Sequence, residues 1–333
     1  MHVTIREVAK EASVSISTVS RYINSPNMLS DEIHAKVKLA IDRLNFKPNP
    51  LAVSMRTNKT NNIAVIIPTI TNMYYVDLYE SIYTIIHKEG YRVSLFTTDY
   101  DKRELYRYFE APFRYLYDGV ILAFLDEQDT WEKIKEIQSQ IPVVVITSDP
   151  KHTETNNIFI DAYDAIYQAT AYLINKGKHK IGYIGAVKKS IISLEKERGF
   201  IDALKNAGRD VDYNYIFNGE RQHFLTGVKG VEYFAAKGAI PDGIVCSTDD
   251  VGIGCIKRLV KFGVSVPEQT SVIGFNGISI LDSYEPELTT IAQPIKDIAE
   301  SATSLLMSRI VDGSAANRRV CFKGTLKEGN SSK

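Results

Sequence analysis

From residue 61 onward, short runs of β-branched and other apolar residues alternate with longer amphipathic stretches. These runs form two series, the first at 63–68, 92–98, 119–124 and 142–147 and the second at 181–185, 215–219, 243–248 and 271–276. Because each parallel strand needs a crossover connection, which is usually a helix, this alternation is typical of parallel sheets. Gly90 and Gly177 follow two helical stretches, 76–89 and 163–176, where glycine commonly ends a helix. We therefore predict an α/β fold with two doubly wound, parallel-sheet lobes of about one hundred residues each.

Charge is unevenly distributed along the chain. The chain has 40 basic and 40 acidic residues. Residues 1–60 contain nine basic and five acidic residues, a net charge of +4. The remainder contains 31 basic and 35 acidic residues, a net charge of −4. A positive field confined to one end of the chain favours a polyanionic partner such as DNA at that end.

The first 48 residues show the signals of three short helices. Thr4 and Glu7 form a capping-box pattern, Ser15 can cap a second helix that runs to about Asn24, and Ser30 can cap a third. The apolar residues expected to face inward are Ile5, Val8, Ala9, Ala12, Val19, Tyr22, Ile23, Ile33, Val37, Ile41 and Leu44. Two short helices joined by a tight turn and braced by a third predict a helix-turn-helix domain. The alternative is a plain three-helix bundle with a solvated polar face.

In a helix-turn-helix domain, the second helix lies in the DNA major groove. Its outward residues here are Ile16, Ser17, Ser20 and Arg21. The first three are small, hydroxyl-bearing or apolar and permit close approach, whereas the Arg21 guanidinium can hydrogen-bond guanine O6 and N7. We predict that these four residues read the operator.

Several segments occur in the order found in one family of bacterial regulators. They are "VTIREVAKEASVSISTVSRYIN", "KPNPLAVSMR", "GYIG", "CSTDD", "SVIGFN" and "LTTIAQP". Over about residues 3–325, the chain resembles the lactose-repressor (LacI/GalR) family. The resemblance implies a helix-turn-helix domain at 1–48, a hinge helix and linker at 49–60, and a two-lobed, periplasmic-binding-protein-like domain for effector binding and dimerisation at 61–330.

The same resemblance implies that the chain passes between the lobes three times. Lobe 1 is then expected to comprise about 61–160 and 289–322, and lobe 2 about 161–288 and 323–330. Such a pair of lobes opens and closes by hinge motion when a ligand fills the cleft.

The segment "NPLAVSMR" at 49–56 is implied to be the hinge helix, which orders when two copies meet over the operator centre. By this resemblance, Leu51, Ala52, Met55 and Arg56 enter the minor groove, where an apolar wedge can kink the duplex. Met55 stands where most of the family has leucine.

The resemblance also implies a set of effector-binding residues at the carboxyl ends of the strands. These are Tyr74, Tyr75, Phe124, Ser190, Lys196, Arg221, Thr248 and Asn276. Lys196 replaces an arginine, Arg221 an aromatic residue and Asn276 an aspartate that many relatives carry. These changes favour an effector with a negative group, such as a sugar phosphate or sugar acid. The alternatives are that the tyrosines pack in the core and that Arg221 points to solvent. Asp249 can either cap a helix or touch the ligand.

No pattern of an enzyme, cofactor or metal site is found. Gly252 and Gly254 are followed by Lys257 rather than the third glycine of a dinucleotide fingerprint, and neither a Walker sequence nor HExxH, GxSxG or CxxC occurs. We therefore expect no catalytic residues and no cofactor.

The favoured prediction is a homodimeric repressor that binds a pseudo-palindromic operator under the control of a sugar or sugar derivative. An activator or a global regulator that responds to a protein co-repressor is an alternative. A solute-binding transport protein is a remote one, because it has no use for residues 1–48. The start of the chain lacks an apolar export signal and no stretch is long enough to span a membrane, so we expect a cytoplasmic location.

Overall fold

The computed structural model describes residues 3–24, 28–47, 59–110, 116–123, 128–149, 155–186, 190–221, 223–238, 240–313 and 317–333. The chain divides into two compact units, Met1–Thr60 and Asn61–Lys333. The predicted hinge residues Leu51, Ala52, Met55 and Arg56 and the effector candidate Phe124 lie outside the described residues.

The amino-terminal unit contains the three predicted helices, α1 (Ile5–Glu11), α2 (Ile16–Asn24) and α3 (Asp31–Leu44). At the start of α1, the Thr4 N–H donates to Glu7 Oε2 at 2.7 Å, and ahead of α2 the Ser15 hydroxyl accepts from the Thr18 N–H at 3.1 Å. Ser30 stands at the start of α3, but its side chain does not cap the helix as predicted. Its carbonyl oxygen instead accepts from the His34 N–H at 2.9 Å.

All eleven residues predicted to face inward belong to one apolar cluster in this unit. Phe46 joins the cluster from beyond α3. It does so because Asn45 adopts a left-handed conformation, with φ 47°, which turns the chain back onto the helices. The helix-turn-helix core was therefore predictable from periodicity, whereas the contribution of Phe46 depends on this turn.

The second unit contains two six-stranded sheets. The first has the order β11-β5-β4-β3-β1-β2, and its strands are β1 (Asn62–Ile67), β2 (Arg92–Thr97), β3 (Gly119–Ala123), β4 (Val143–Thr147), β5 (Asn157–Ile160) and β11 (Arg319–Phe322). The second has the order β12-β10-β9-β8-β6-β7, and its strands are β6 (Ile181–Ala186), β7 (Ile216–Gly219), β8 (Gly243–Cys246), β9 (Ser271–Asn276), β10 (Thr289–Ala292) and β12 (Thr325–Lys327). All neighbouring strands are parallel except β10 and β12, which are antiparallel.

Helices connect the strands in both halves of this unit. They are α4 (Met73–Lys88), α5 (Lys102–Tyr108), α6 (Gln128–Gln138), α7 (Ala162–Asn175), α8 (Ile191–Asn206), α9 (Phe224–Ala236), α10 (Asp249–Lys261) and α11 (Ile295–Asp312). Short 3₁₀ turns occur at Tyr213–Tyr215 and Ser279–Ser283. Strands β3, β4 and β5 are buried along their whole length, as expected for parallel strands covered on both faces.

Each lobe is defined by its sheet, and the chain passes from one lobe to the other three times. The crossings follow β5, follow β10 and lie between β11 and β12. Lobe 1 was expected to resume at 289, but this boundary is wrong, because residues 289–292 form β10 and pair with β9 of lobe 2, Thr289 opposite Ile273. The chain returns to lobe 1 with α11, which packs against α4. Strands β5, β10, β11 and β12, each of three or four residues, were not predicted.

Within the described part of the chain, no helix has both the length and the apolar character needed to cross a membrane.

Candidate effector cleft and DNA-reading helix

A cavity of about 40 Å³ lies between the lobes, at the carboxyl ends of the strands. Its lining includes Tyr74, Tyr75, Thr147, Ser148, Ile160, Ile192, Lys196, Phe275, Asn276 and Gln293. A space of this size holds about three water molecules. A sugar-sized effector therefore requires the lobes to move apart.

Aromatic side chains form much of the cavity wall. Tyr74 and Tyr75 lie in the first turn of α4, where the Asn72 side chain caps the helix by accepting from the Tyr74 N–H at 3.0 Å. The two rings meet edge to face with centroids 5.2 Å apart, and both are buried. Burial raises the pKa of the Tyr74 phenol, which therefore stays neutral. The tyrosines pack in the core of lobe 1 and also line the cavity, so both interpretations of them apply.

Lys196 reaches the cavity from α8, and its ammonium group is already engaged by lobe 2. The side chain is 3% exposed, and Nζ donates to the Ser247 carbonyl oxygen at 2.9 Å. Nζ also lies 4.9 Å from the centre of the Phe275 ring. Its charge lowers the pKa of Asp249 and opposes the effect of burial there.

Asp249 does not cap α10 and does not line the cavity. Its carboxylate is fully buried and accepts from the Thr290 hydroxyl at 2.6 Å and from the N–H groups of Gly277 and Ile278 at 2.6 and 3.0 Å. Burial raises the pKa of Asp249 to about 6 in spite of these hydrogen bonds. Thr248, which was predicted to bind the effector, instead caps α10 by accepting from the Val251 N–H at 3.4 Å.

Asn276 and Gln293 face each other in the cavity wall. Gln293 Nε2 donates to Asn276 Oδ1 at 2.8 Å, and the Gln293 N–H donates to the Asn276 carbonyl oxygen at 2.9 Å. Asn276 has a φ of 131°, a strained value for a residue with a side chain, which these contacts help to hold. Sequence reasoning found Asn276 but missed Gln293, because Gln293 follows β10, a strand that was not predicted. The rule that ligands bind beyond the carboxyl ends of strands also identifies Thr147, the last residue of β4, and Ser148, which follows it.

Arg221 lies away from this cavity and forms an ion pair across the cleft. Its guanidinium contacts the Asp99 carboxylate with N–O distances of 3.1 and 3.3 Å. The two residues follow the edge strands β7 and β2, one from each lobe, and their side chains are 64% and 66% exposed. The structure thus gives Arg221 a partner in the facing lobe rather than a place on the cavity wall.

Ser190 also lies outside the cavity lining. Its side chain caps α8 by accepting from the Ser193 N–H at 3.0 Å.

A second contact between the lobes joins α4 to the turn after β9. Asp77 accepts from the Ser279 N–H and from the Ser279 hydroxyl, each at 2.8 Å. The N–H groups of Gly277 and Ile278 in the same turn are bound by Asp249. Carboxylates from both lobes therefore hold one turn of lobe 2. Asp250 lies near this junction, and its pKa is raised to about 7 by burial and by the charge of Asp249, with a smaller contribution from Asp77.

In the amino-terminal unit, the four residues predicted to read DNA lie away from the core of α2. Ile16, Ser17 and Arg21 are exposed and Ser20 is half-buried. The apolar side chain of Ile16 is 45% exposed and therefore accessible on this face of α2. No described residue forms an ion pair or hydrogen bond with the Arg21 side chain, whereas Arg43 pairs with Glu11 and Lys36 with Glu32. The Arg21 guanidinium is thus available to hydrogen-bond the edge of a base.

A helix-turn-helix unit of positive charge, followed by a two-lobed unit with a cavity between parallel sheets, defines a DNA-binding regulator that responds to a ligand. Residues 4–49 match the bacterial regulatory proteins of the lacI family, and residues 170–332 match the periplasmic binding protein-like domain. The chain is 31% identical over 308 residues to catabolite control protein A of Priestia megaterium, covering 92% of each protein. It belongs to the lacI family of bacterial transcription regulators, whose members are regulators and not enzymes.

Two further similarities agree with this assignment. The HTH-type transcriptional repressor PurR of Vibrio vulnificus (strain CMCP6) is 29% identical over 311 residues, which is 93% of this chain and 92% of that protein. The structure of the lac repressor dimer bound to operator and the anti-inducer ONPF superposes with a TM-score of 0.85 at 20% identity, covering 99% of both chains. The predicted fold class and regulator class are thereby confirmed, and the plain helical bundle and the transport protein are excluded.

Proposed function

We propose that this protein represses transcription by binding a pseudo-palindromic operator as a homodimer, and that a small molecule in the inter-lobe cleft controls its affinity for DNA. The observation that supports this proposal most strongly is the exposed face of α2, which places an available guanidinium beside small residues on a unit of net charge +4. Because its operator is part of the bacterial chromosome, the protein acts in the cytoplasm.

In this proposal, Ile16, Ser17, Ser20 and Arg21 contact base edges in the major groove. The other basic residues of 1–60 bind phosphates, so affinity falls steeply with salt. The segment 49–60 forms the hinge helix and linker, and Leu51, Ala52, Met55 and Arg56 contact the minor groove. The first lobe is assigned to about 61–160 and 293–322, and the second to about 161–292 and 323–330, which includes the corrected crossing after β10.

The effector is proposed to contact Tyr74, Tyr75, Lys196 and Asn276, all of which line the cavity, with Phe124 as a further candidate. The geometry weakens the argument for an anionic effector. Arg221 pairs with Asp99 outside the cavity, whereas Lys196 lines the cavity and keeps its charge while one of its N–H groups donates to the Ser247 carbonyl oxygen. The polar groups of the wall are the Lys196 ammonium, the amides of Asn276 and Gln293 and several hydroxyl groups, so a ligand rich in hydroxyl or carbonyl groups fits it.

The decisive experiment is the selection of operators from a random DNA library with the full-length protein, followed by binding titrations of single-base variants. Arg21→Ala should lose about 1–3 kcal/mol and relax the preference at one base pair in each half-site. Lys205→Ala, which removes an equal charge from an exposed position on α8, serves as the control and should leave both affinity and preference unchanged. If Arg21→Ala bound all operator variants with unaltered relative affinity, Arg21 would not read a base.

A promoter reporter carrying the selected operator measures the direction of regulation. Repression requires lower expression with the protein than without it. Higher expression would instead show that the protein is an activator.

A further inference from the structure

Three carboxylates meet near one turn, residues 277–279, at the junction of the two lobes. Asp249 of lobe 2 accepts from two consecutive N–H groups of this turn, at 2.6 and 3.0 Å. Asp77 of lobe 1 accepts from the next N–H group, that of Ser279, at 2.8 Å. Asp250 follows Asp249 in the first turn of α10, and the charges of Asp249 and Asp77 both act on it. Negative charge from both lobes therefore surrounds the Asp250 carboxyl group.

The Asp250 carboxyl group has little to compensate for this repulsion. Its Oδ2 is buried and accepts no hydrogen bond from any described residue. The Lys196 ammonium lowers the pKa of Asp249, whereas the neighbouring charges that act on Asp250 are both negative. Because a buried carboxylate without a partner is unfavourable, this group takes up a proton instead.

The elements packed against α10 are β8, β9 and α9. Strand β9 carries no titratable side chain, and burial raises the pKa of the Cys246 thiol of β8 well above its usual range, so the thiol stays neutral. On α9, Glu232 pairs with Arg258, two turns beyond Asp250, and Lys229 is exposed. His223 precedes α9 and accepts from the Leu225 N–H at 3.2 Å.

We propose that Asp250 makes closure of the two lobes dependent on pH, with proton uptake by this residue favouring the closed form. Asp77 belongs to lobe 1, so it moves away from Asp250 when the lobes separate, and water then enters the junction. In the closed form the pKa of Asp250 is about 7, raised by burial and by the two negative charges. Opening weakens both effects and lowers this pKa. The closed form is therefore favoured below about pH 7 and loses this advantage as the pH rises through that value.

The test is small-angle X-ray scattering of the full-length, ligand-free protein at about pH 6 and 8 and constant ionic strength. The ratio of open to closed form, fitted from the scattering curves, should rise at least about fivefold between these values. This follows if opening lowers the pKa of Asp250 from about 7 to about 6 or below. The measurement needs neither operator nor effector, so its outcome is independent of the proposed function.

Asp250→Asn keeps the size of the side chain but removes the titrating group. Its ratio of open to closed form should change less than about twofold between the same pH values. Thermal unfolding at about pH 6 checks that the variant is folded. If it is not, Asp250→Ser repeats the test with a smaller neutral residue.

His223→Asn is the matched control for a different titrating group. His223 lies two residues after Arg221, which pairs with Asp99 across the cleft. Asparagine is a good N-cap, so the variant keeps a cap on α9 and loses only the imidazole. It should show the same rise in the ratio as the wild type.

The inference is overturned if the wild-type ratio is the same at both pH values, or if a folded Asp250→Asn variant changes as the wild type does. It is also overturned if His223→Asn abolishes the rise, because the histidine would then be the titrating group. A free energy of unfolding that depends on Asp250 and pH, without any change in the ratio, would show that the residue affects stability alone.

Discussion

The contact between Asp77 and Ser279 makes lobe closure sensitive to one substitution. Asp77→Ala removes both acceptors of the Ser279 N–H and hydroxyl, which lie at 2.8 Å. Hydrogen bonds to charged groups contribute about 1.5–3 kcal/mol each, but Asp77 is only half-buried and water replaces the contacts when the lobes separate. We therefore expect a net loss of about 1–3 kcal/mol in the closed form, which is a shift of about 5- to 150-fold toward the open form.

Small-angle X-ray scattering and hydrogen exchange measure this shift. Asp77→Ala should increase the radius of gyration of the ligand-free protein and speed exchange of the amides of residues 277–279. The matched control is Asp282→Ala, because Asp282 is 73% exposed and pairs with Lys327 at 2.7 Å within lobe 2. It should change neither quantity.

The reasoning would be refuted if Asp77→Ala gave the same scattering curve and the same exchange as the wild type. Breaking the Arg221 and Asp99 pair should have a smaller effect. Both side chains are about two-thirds exposed, and such pairs contribute about 0–1 kcal/mol. That effect should vanish at high salt, whereas the effect of Asp77→Ala should persist.

Three further predictions concern stability and DNA. Asp250→Asn should flatten the dependence of stability on pH, because burial raises the pKa of Asp250 to about 7 and the folded protein holds this proton up to about that pH. Between pH 4 and 7 the wild-type free energy of unfolding should therefore fall by about 3 kcal/mol more than that of the variant, and parallel denaturant curves would contradict this. Gly227→Ala should lower the free energy of unfolding, measured by chemical denaturation, by at least about 2 kcal/mol, because the new Cβ would lie 2.0 Å from the Val251 carbonyl oxygen of α10. An unchanged denaturation midpoint would show that the helices can move apart. Met55→Ala should weaken specific operator binding and reduce the DNA bend measured by energy transfer, and an unaltered bend would count against its role as a wedge.

Much of the fold follows from local patterns. The eleven inward residues of the first unit were predictable because helical periodicity alone assigns them to one face. Eight of the strands were predictable because buried parallel strands are short apolar runs between turn residues. Strands β5, β10, β11 and β12 were not, since their pairing with neighbouring strands in the sheet defines them rather than a distinct local pattern.

The sequence by itself determined the class of protein, the outward residues of α2 and four residues of the cavity wall, because these depend on motifs and on the ends of strands. Only the tertiary structure decided the partners of the polar groups. Arg221 and Asp99 are 122 residues apart, and Ser279 and Asp77 are 202 residues apart. Gln293 meets Asn276 because β10 lies beside β9 in the second sheet. No local pattern encodes these pairs, since each arises where the folding of two parallel sheets brings distant strand ends together.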